Sequence, residues 1–265
     1  MFSKEKFLKM QHFNVLFLVL ALLVFVNSAA SAHIFVLKPE AMTVKKGEKL
    51  SFAAGLAEPL ITLDMSRPML ESMGFIINMG ASIKYKSGKE AKIPLSSFNP
   101  VTPNIPPASA DAETAQFVVT DKGTAVLHGN FTMKRDGKTT VCFAKSFINL
   151  TNDGMSTQSF SDGNHPVAEI LFADNIKGIK RGDVLKVRVL LKGKPLAGAD
   201  ISATYDKAPA KKSGSPENEY LTVKTNIFGE AAFAIDREGL WICSIEYPNP
   251  QDKIRYRSSV LFEVR

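Results

Sequence analysis

Leu185, Val187, Val189 and Leu191 alternate with Lys186 and Arg188. An apolar residue at every second position gives a strand one apolar face, whereas a helix would scatter the same residues around its girth. The pattern ends at Lys192-Gly193-Lys194-Pro195, a turn signal, and starts again at Ala199, Ile201, Ala203 and Tyr205. Residues 220–225, 231–235, 240–245 and 260–264 continue the series. Short strands separated by turn chemistry predict a β-sandwich, and nothing in the stretch suggests a βαβ unit.

The upstream half reads in the same way with less regularity. Residues 34–37 predict a strand stopped by Pro39, and residues 42–44 and 50–54 predict strands flanking a turn. Residues 55–59 read as a loop. Ser66 and Pro68 mark the start of a short helix that Gly74 ends. Residues 75–77 and a hairpin of 83–85 with 91–94 follow, then a proline-rich loop over 99–110. Strands are expected at 116–119, 123–127 and 130–134. Asp136-Gly137 is a strong hairpin turn leading into 139–147. Residues 149–164 are polar and read as a linker. The expectation is an all-β chain of two β-sandwich-like domains, residues 33–164 and 165–265, the second immunoglobulin-like.

Residues 1–32 read as a cleaved export signal. Lys4, Lys6 and Lys9 precede an unbroken apolar run over 15–26. Twelve apolar residues fall short of the ~20 needed to span a bilayer comfortably. Small residues stand one and three positions before two possible cuts, after Ala30 or after Ala32. The remainder is expected to be soluble and periplasmic, with no transmembrane segment. Loss of the segment takes the net charge from +7 to +5. That charge is scattered and no Arg cluster interleaves with aromatics, so nucleic acid is not an expected partner. In an oxidising compartment Cys142 and Cys243 form a disulfide only if the two halves pack closely.

Either cut leaves His33 at or next to a free amine. If His33 is first, the amine and ring nitrogen can chelate an ion. If Ser31 is first, the amine, two backbone nitrogens and the imidazole form a square-planar set suited to Ni(II) or Cu(II). His128 and His165 are the other imidazoles downstream of the signal, and they are candidate ligands that could close a site around the new start. Met65, Met69, Met73 and Met79 could favour Cu(I) instead, or fill a core. No GxSxG, HExxH or phosphate loop occurs, and no enzyme activity is expected.

Residues 189–199, 225–233 and 238–241 resemble the prealbumin-like, carboxypeptidase-regulatory-like sandwich. The start Ala32-His33-Ile34-Phe35-Val36-Leu37-Lys38-Pro39, then Val44-Lys45-Lys46-Gly47-Glu48, Phe143-Ala144-Lys145 and Pro166-Val167-Ala168-Glu169-Ile170, extend the likeness over roughly residues 32–265. In that order they resemble a family of periplasmic proteins described as the extracytoplasmic component of nickel/cobalt uptake, or only as a domain of unknown function. The resemblance implies a metal-binding protein that hands Ni(II) or Co(II) to a membrane transporter component. A copper-binding protein and a non-metal, protein-binding envelope module are the alternatives.

Overall fold

In a computed structural model of the chain, the described residues are 34–58, 62–65, 71, 73–93, 99–100, 113–150, 167–173, 178–205 and 221–265. Seventeen strands run through them. The first nine are β1 (Ile34–Pro39), β2 (Lys49–Glu58), β3 (Thr62–Met65), β4 (Ile76–Tyr85), β5 (Glu90–Ile93), β6 (Asn99–Pro100), β7 (Glu113–Val118), β8 (Thr124–Arg135) and β9 (Lys138–Asn149). The rest are β10 (Ala168–Phe172), β11 (Val184–Leu191), β12 (Lys194–Pro195), β13 (Asp200–Tyr205), β14 (Leu221–Lys224), β15 (Glu230–Ala234), β16 (Gly239–Asn249) and β17 (Ile254–Val264). The chain is all-β, as the alternation implies.

One eight-stranded sheet, in the order β14-β13-β16-β17-β9-β8-β4-β5, organises the molecule. Odd-numbered residues of β4 and β8, among them Ile83, Tyr85, Leu127 and Phe131, face a core shared with Phe35 and Leu37 of β1 and with Leu50 and Phe52 of β2. The layer over that face is the sheet β1-β2-β7-β6, with β3 beside β2. The opposite face carries Phe147, Val260, Phe262, Cys243 and Trp241, which pack with Ile170 of β10, Val187 and Val189 of β11 and Phe233 of β15. The layer there is the smaller sheet β10-β11-β12, with β15 beside β11. Each half is therefore a sandwich, and the two cover opposite faces of a common sheet.

The join is the parallel pair β9–β17, in register from Thr139 opposite Ile254 to Ser146 opposite Leu261. Parallel neighbours cannot be closed by a tight hairpin and need a crossover. Here the crossover is the whole of β10 to β16. The division expected at 164/165 falls among residues outside those described, but β9 lies before it and β17 after it. The two sandwich layers thus share hydrogen-bonded strands, and His33–Arg265 groups as one compact unit. Strand β1 crosses the join: Ile34 and Val36 pack with Ile242 and Leu261, while Phe35 and Leu37 enter the other core. Ser146 Oγ donates to the Leu37 carbonyl and Ser259 Oγ to the Phe35 carbonyl, one serine from each side of the join.

Several local expectations hold. Asp136 (φ 51°) and Gly137 (φ 72°) form the hairpin turn between β8 and β9, both with the positive φ a type I′ turn requires. Others are corrected. The loop expected at 55–59 is strand as far as Glu58, because Gly55 pairs with Val36 and Ala57 with Ile34. The break expected between 127 and 130 is absent, and β8 runs through it. Gly129 gives clearance there, since a Cβ would meet the Gly80 carbonyl oxygen and Leu37 Cδ1, each at 3.0 Å. Residues 42–44 make only a single bridge, Thr43 with Asn149. Most of the helix expected from Ser66 to Gly74, and most of the proline-rich loop, lie outside the described residues.

The cysteines are both free and buried. The halves pack closely, as a disulfide would need, yet Cys142 faces the β1 side of the long sheet and Cys243 the β11 side. Strand β17 also stands between their strands. Desolvation pushes the Cys142 thiol up to about 12 and raises that of Cys243 as well. Both are inert as thiolate ligands.

Candidate functional site

Of the three histidines expected to bind metal, His33 and His165 lie outside the described residues. His128 is described, and it sits in the middle of β8 rather than at a turn. Its neighbour Gly129 faces Leu37 and Phe35, so His128 projects from the opposite face, away from β1. Among the described residues, the His128 ring and strand β1 therefore lie on opposite faces of the long sheet. The methionines divide similarly: Met79 is core, Met73 is exposed, and Met69 and the Met65 side chain lie outside the described residues.

Strand register builds a polar row on the face that carries His128. Lys92 of β5 pairs with Ser82 of β4, Ser82 with His128, and His128 with Lys145 of β9. The row continues through Val260 and Cys243 to Ala203, where the β10–β11 layer covers it and it becomes apolar. Two clusters occupy the polar half of the row.

The first joins Ser82, Glu90 and His128. Ser82 Oγ donates to Glu90 Oε1 at 2.8 Å and lies 2.8 Å from His128 Nε2. His128 Nε2 is 3.4 Å from the same Glu90 oxygen. The serine has one proton, and a carboxylate can only accept. With that proton given to Glu90, Nε2 must donate to Ser82 Oγ. This polarity is the reverse of nucleophile activation, in which imidazole accepts from the hydroxyl. The His128 side chain is 15% exposed and that of Glu90 46% exposed. The His128 ring also meets Phe143 edge-on, with centroids 6.2 Å apart.

The second cluster is the ion pair of Lys145 and Glu169, whose side chains are 5% and 1% exposed. The Lys145 ammonium also lies 5.6 Å over the Phe143 ring. Glu169 Oε2 has no hydrogen-bond partner among the described residues. Phe143-Ala144-Lys145 and Val167-Ala168-Glu169-Ile170 are two of the stretches that carry the family resemblance, and here they meet. Nothing in the linear sequence shows that β10 covers β9 or that Lys145 meets Glu169. Ser82 and Glu90 gave no signal: a lone serine and a lone glutamate beside a turn are ordinary surface residues.

Among the described residues no group of three or more His, Cys, Asp or Glu side chains is placed to hold a metal, and no helix is long and apolar enough to cross a membrane.

The sequence pattern of one family, "Domain of unknown function (DUF4198)", matches residues 30–249. No curated protein matches. Solved structures resemble the chain loosely. The D0-D1 domain of intimin is 15% identical, with 86% of this chain and 97% of that one covered and a TM-score of 0.22. The fibronectin(III)-like modules of Clostridium thermocellum CbhA are 10% identical, with 90% and 92% covered and a TM-score of 0.24. A DUF4785 family protein from Legionella pneumophila is 9% identical, with 79% and 51% covered and a TM-score of 0.29. Likenesses of this size have no bearing on function.

Proposed function

The chain belongs to the DUF4198 family, which prescribes no activity, and we propose that it is an exported metal-binding protein, holding Ni(II) or Co(II) through its processed amino terminus and His33. One observation carries the reading. His33 leads directly into β1, whose first residue, Ile34, is 7% exposed and belongs to the core joining both halves. The strand's carbonyls are gripped by Ser146 and Ser259. A chelate formed by the new amine and His33 would therefore sit one to three residues from a fixed strand, which lowers the ordering cost of binding. The start of the family-like pattern, Ala32-His33-Ile34-Phe35, supports the same reading. His165 is a candidate further ligand. The proposed compartment is the periplasm, and the proposed partner a membrane transporter component that receives the ion. No catalytic role is part of the proposal. The copper alternative is less favoured, because Met79 is spent on the core and Met73 stands exposed.

Calorimetric titration with Ni(II) of the processed chain, of His33→Ala and of a chain with one residue added before the mature start tests this. The expected result is a tight site in the first and its loss in the other two. Equal binding by all three overturns the N-terminal site, and binding by none of them leaves the non-metal, protein-binding module as the reading.

A further inference from the structure

We propose that Ser82, Glu90 and His128 form a second, internal site for a divalent transition-metal ion of octahedral preference, such as Ni(II). The proposal goes beyond the N-terminal reading and stands whether or not that one holds. Ser82 Oγ, Glu90 Oε1 and His128 Nε2 form a triangle with sides of 2.8, 2.8 and 3.4 Å. Ligands about 2.1 Å from an ion are separated by ~3.0 Å along an octahedral edge and by ~3.4 Å along a tetrahedral one. An ion just above this triangle reaches all three atoms with little movement of the strands. The hydrogen bonds thus hold the donors near the spacing that coordination needs.

The three donors stand on neighbouring strands of one sheet. Ser82 and His128 are directly opposed on β4 and β8, and Glu90 lies two residues from Lys92, Ser82's partner on β5. All three donors project from the face that β1 leaves uncovered. The donor set, one imidazole, one carboxylate and one hydroxyl, suits a borderline ion such as Ni(II) better than a soft one. The remaining positions of an octahedron would be filled by water, so the ion can exchange. On binding, the imidazole gives up its Nε2 proton by taking the Nδ1-protonated tautomer, and acid therefore competes with the ion. The surrounding cations are Lys84, Lys92 and Lys145. Of these, Lys145, directly across from His128, is turned into its pair with Glu169 and over Phe143.

The test uses the processed full chain carrying His33→Ala, titrated with Ni(II) alone, so the internal site is read apart from the N-terminal one. One ion per chain is expected to bind. Adding His128→Ala should abolish that binding, and adding Glu90→Gln should weaken it at least tenfold. Glu90 is half-exposed, so its variant is expected to keep the parent melting temperature. With Cu(II) as a spectroscopic probe, the His33→Ala protein should show one coordinated nitrogen rather than several. The inference is overturned if His33→Ala binds no ion, or if its binding is unchanged by Glu90→Gln in a protein that melts normally.

Discussion

β11 and β17 are both strands of the C-terminal sandwich, and they are built on different rules. β11 alternates exposed and buried residues from Val184 to Val189. β17 is buried without a break from Tyr256 to Phe262. The difference is one of cover. β11 has a core on one face, whereas β17 and its parallel neighbour β9 have a sandwich layer on each face. A strand covered on both faces cannot send its polar residues to water. The join accordingly holds Lys145, Ser146, Arg257, Ser258 and Ser259, all buried. Two serines grip β1, Arg257 Nε donates to Glu246 Oε2 at 2.9 Å, and Lys145 pairs with Glu169. The lesson is that the joined centre is held by paired polar groups as well as by apolar area, while the flanks rely on area.

The largest test of that contrast removes one partner of the buried pair. Glu169→Ala leaves Lys145 charged and dry, and breaking such a pair costs ~3–5 kcal/mol. Urea unfolding of the variant should show a loss of that size. Replacing both partners together, Lys145→Met with Glu169→Leu, should restore most of the stability, because no charge is then stranded. If the double variant is as unstable as the single one, the pair is not an isolated exchange of charge for packing, and the join depends on those charges for its geometry.

A smaller effect comes from the thiols on the two faces of the same sheet. The unfolded thiols titrate near 9.0, and burial holds Cys142 up at about 12 and raises Cys243. The native state therefore keeps protons that the unfolded state loses. The contribution is full below pH 9 and is lost as pH rises from there towards 12. Stability measured by denaturant between pH 8 and pH 10.5 should decline more steeply than in a Cys142→Ala, Cys243→Ala protein. A thiol count on the denatured, unreduced chain should give two. A count of zero would mean a bridge between opposite faces, which the sheet forbids.

Much of the flanking architecture was legible because one-sided cover imprints a period of two. The alternation at 185–191 gave β11, and Asp136-Gly137 gave the β8–β9 turn. The join was not legible. A mostly apolar stretch such as 260–264 announces a strand without naming its neighbour, and the pairing of β17 with β9 is set by cover from two separate layers. Gly129 was misread as a break because a glycine that makes room for Leu37 looks, in one dimension, like a glycine that turns the chain. The site was legible only as residue types. His128 was singled out for its imidazole, but Ser82, 46 positions away, and Glu90 gained their roles from the register of β4, β5 and β8.

The smallest effect belongs to a pair with the same chemistry as the first and the opposite surroundings. Lys224 Nζ lies 2.8 Å from Asp200 Oδ1 across β13 and β14, with side chains 69% and 59% exposed. Both ions stay hydrated there, so little solvation is lost and little attraction is gained. Exposed pairs of this kind contribute ~0.2–1 kcal/mol. Lys224→Ala should lower stability by no more than that, and added salt should reduce the difference further. Glu169→Ala should keep most of its cost in the same salt, because counterions do not reach a side chain that is 1% exposed. If the two variants respond to salt alike, the Lys145–Glu169 pair is open to solvent, and the covering of β9 on both faces is wrong. Separate responses would tie the salt dependence to cover rather than to charge, since the charges are the same.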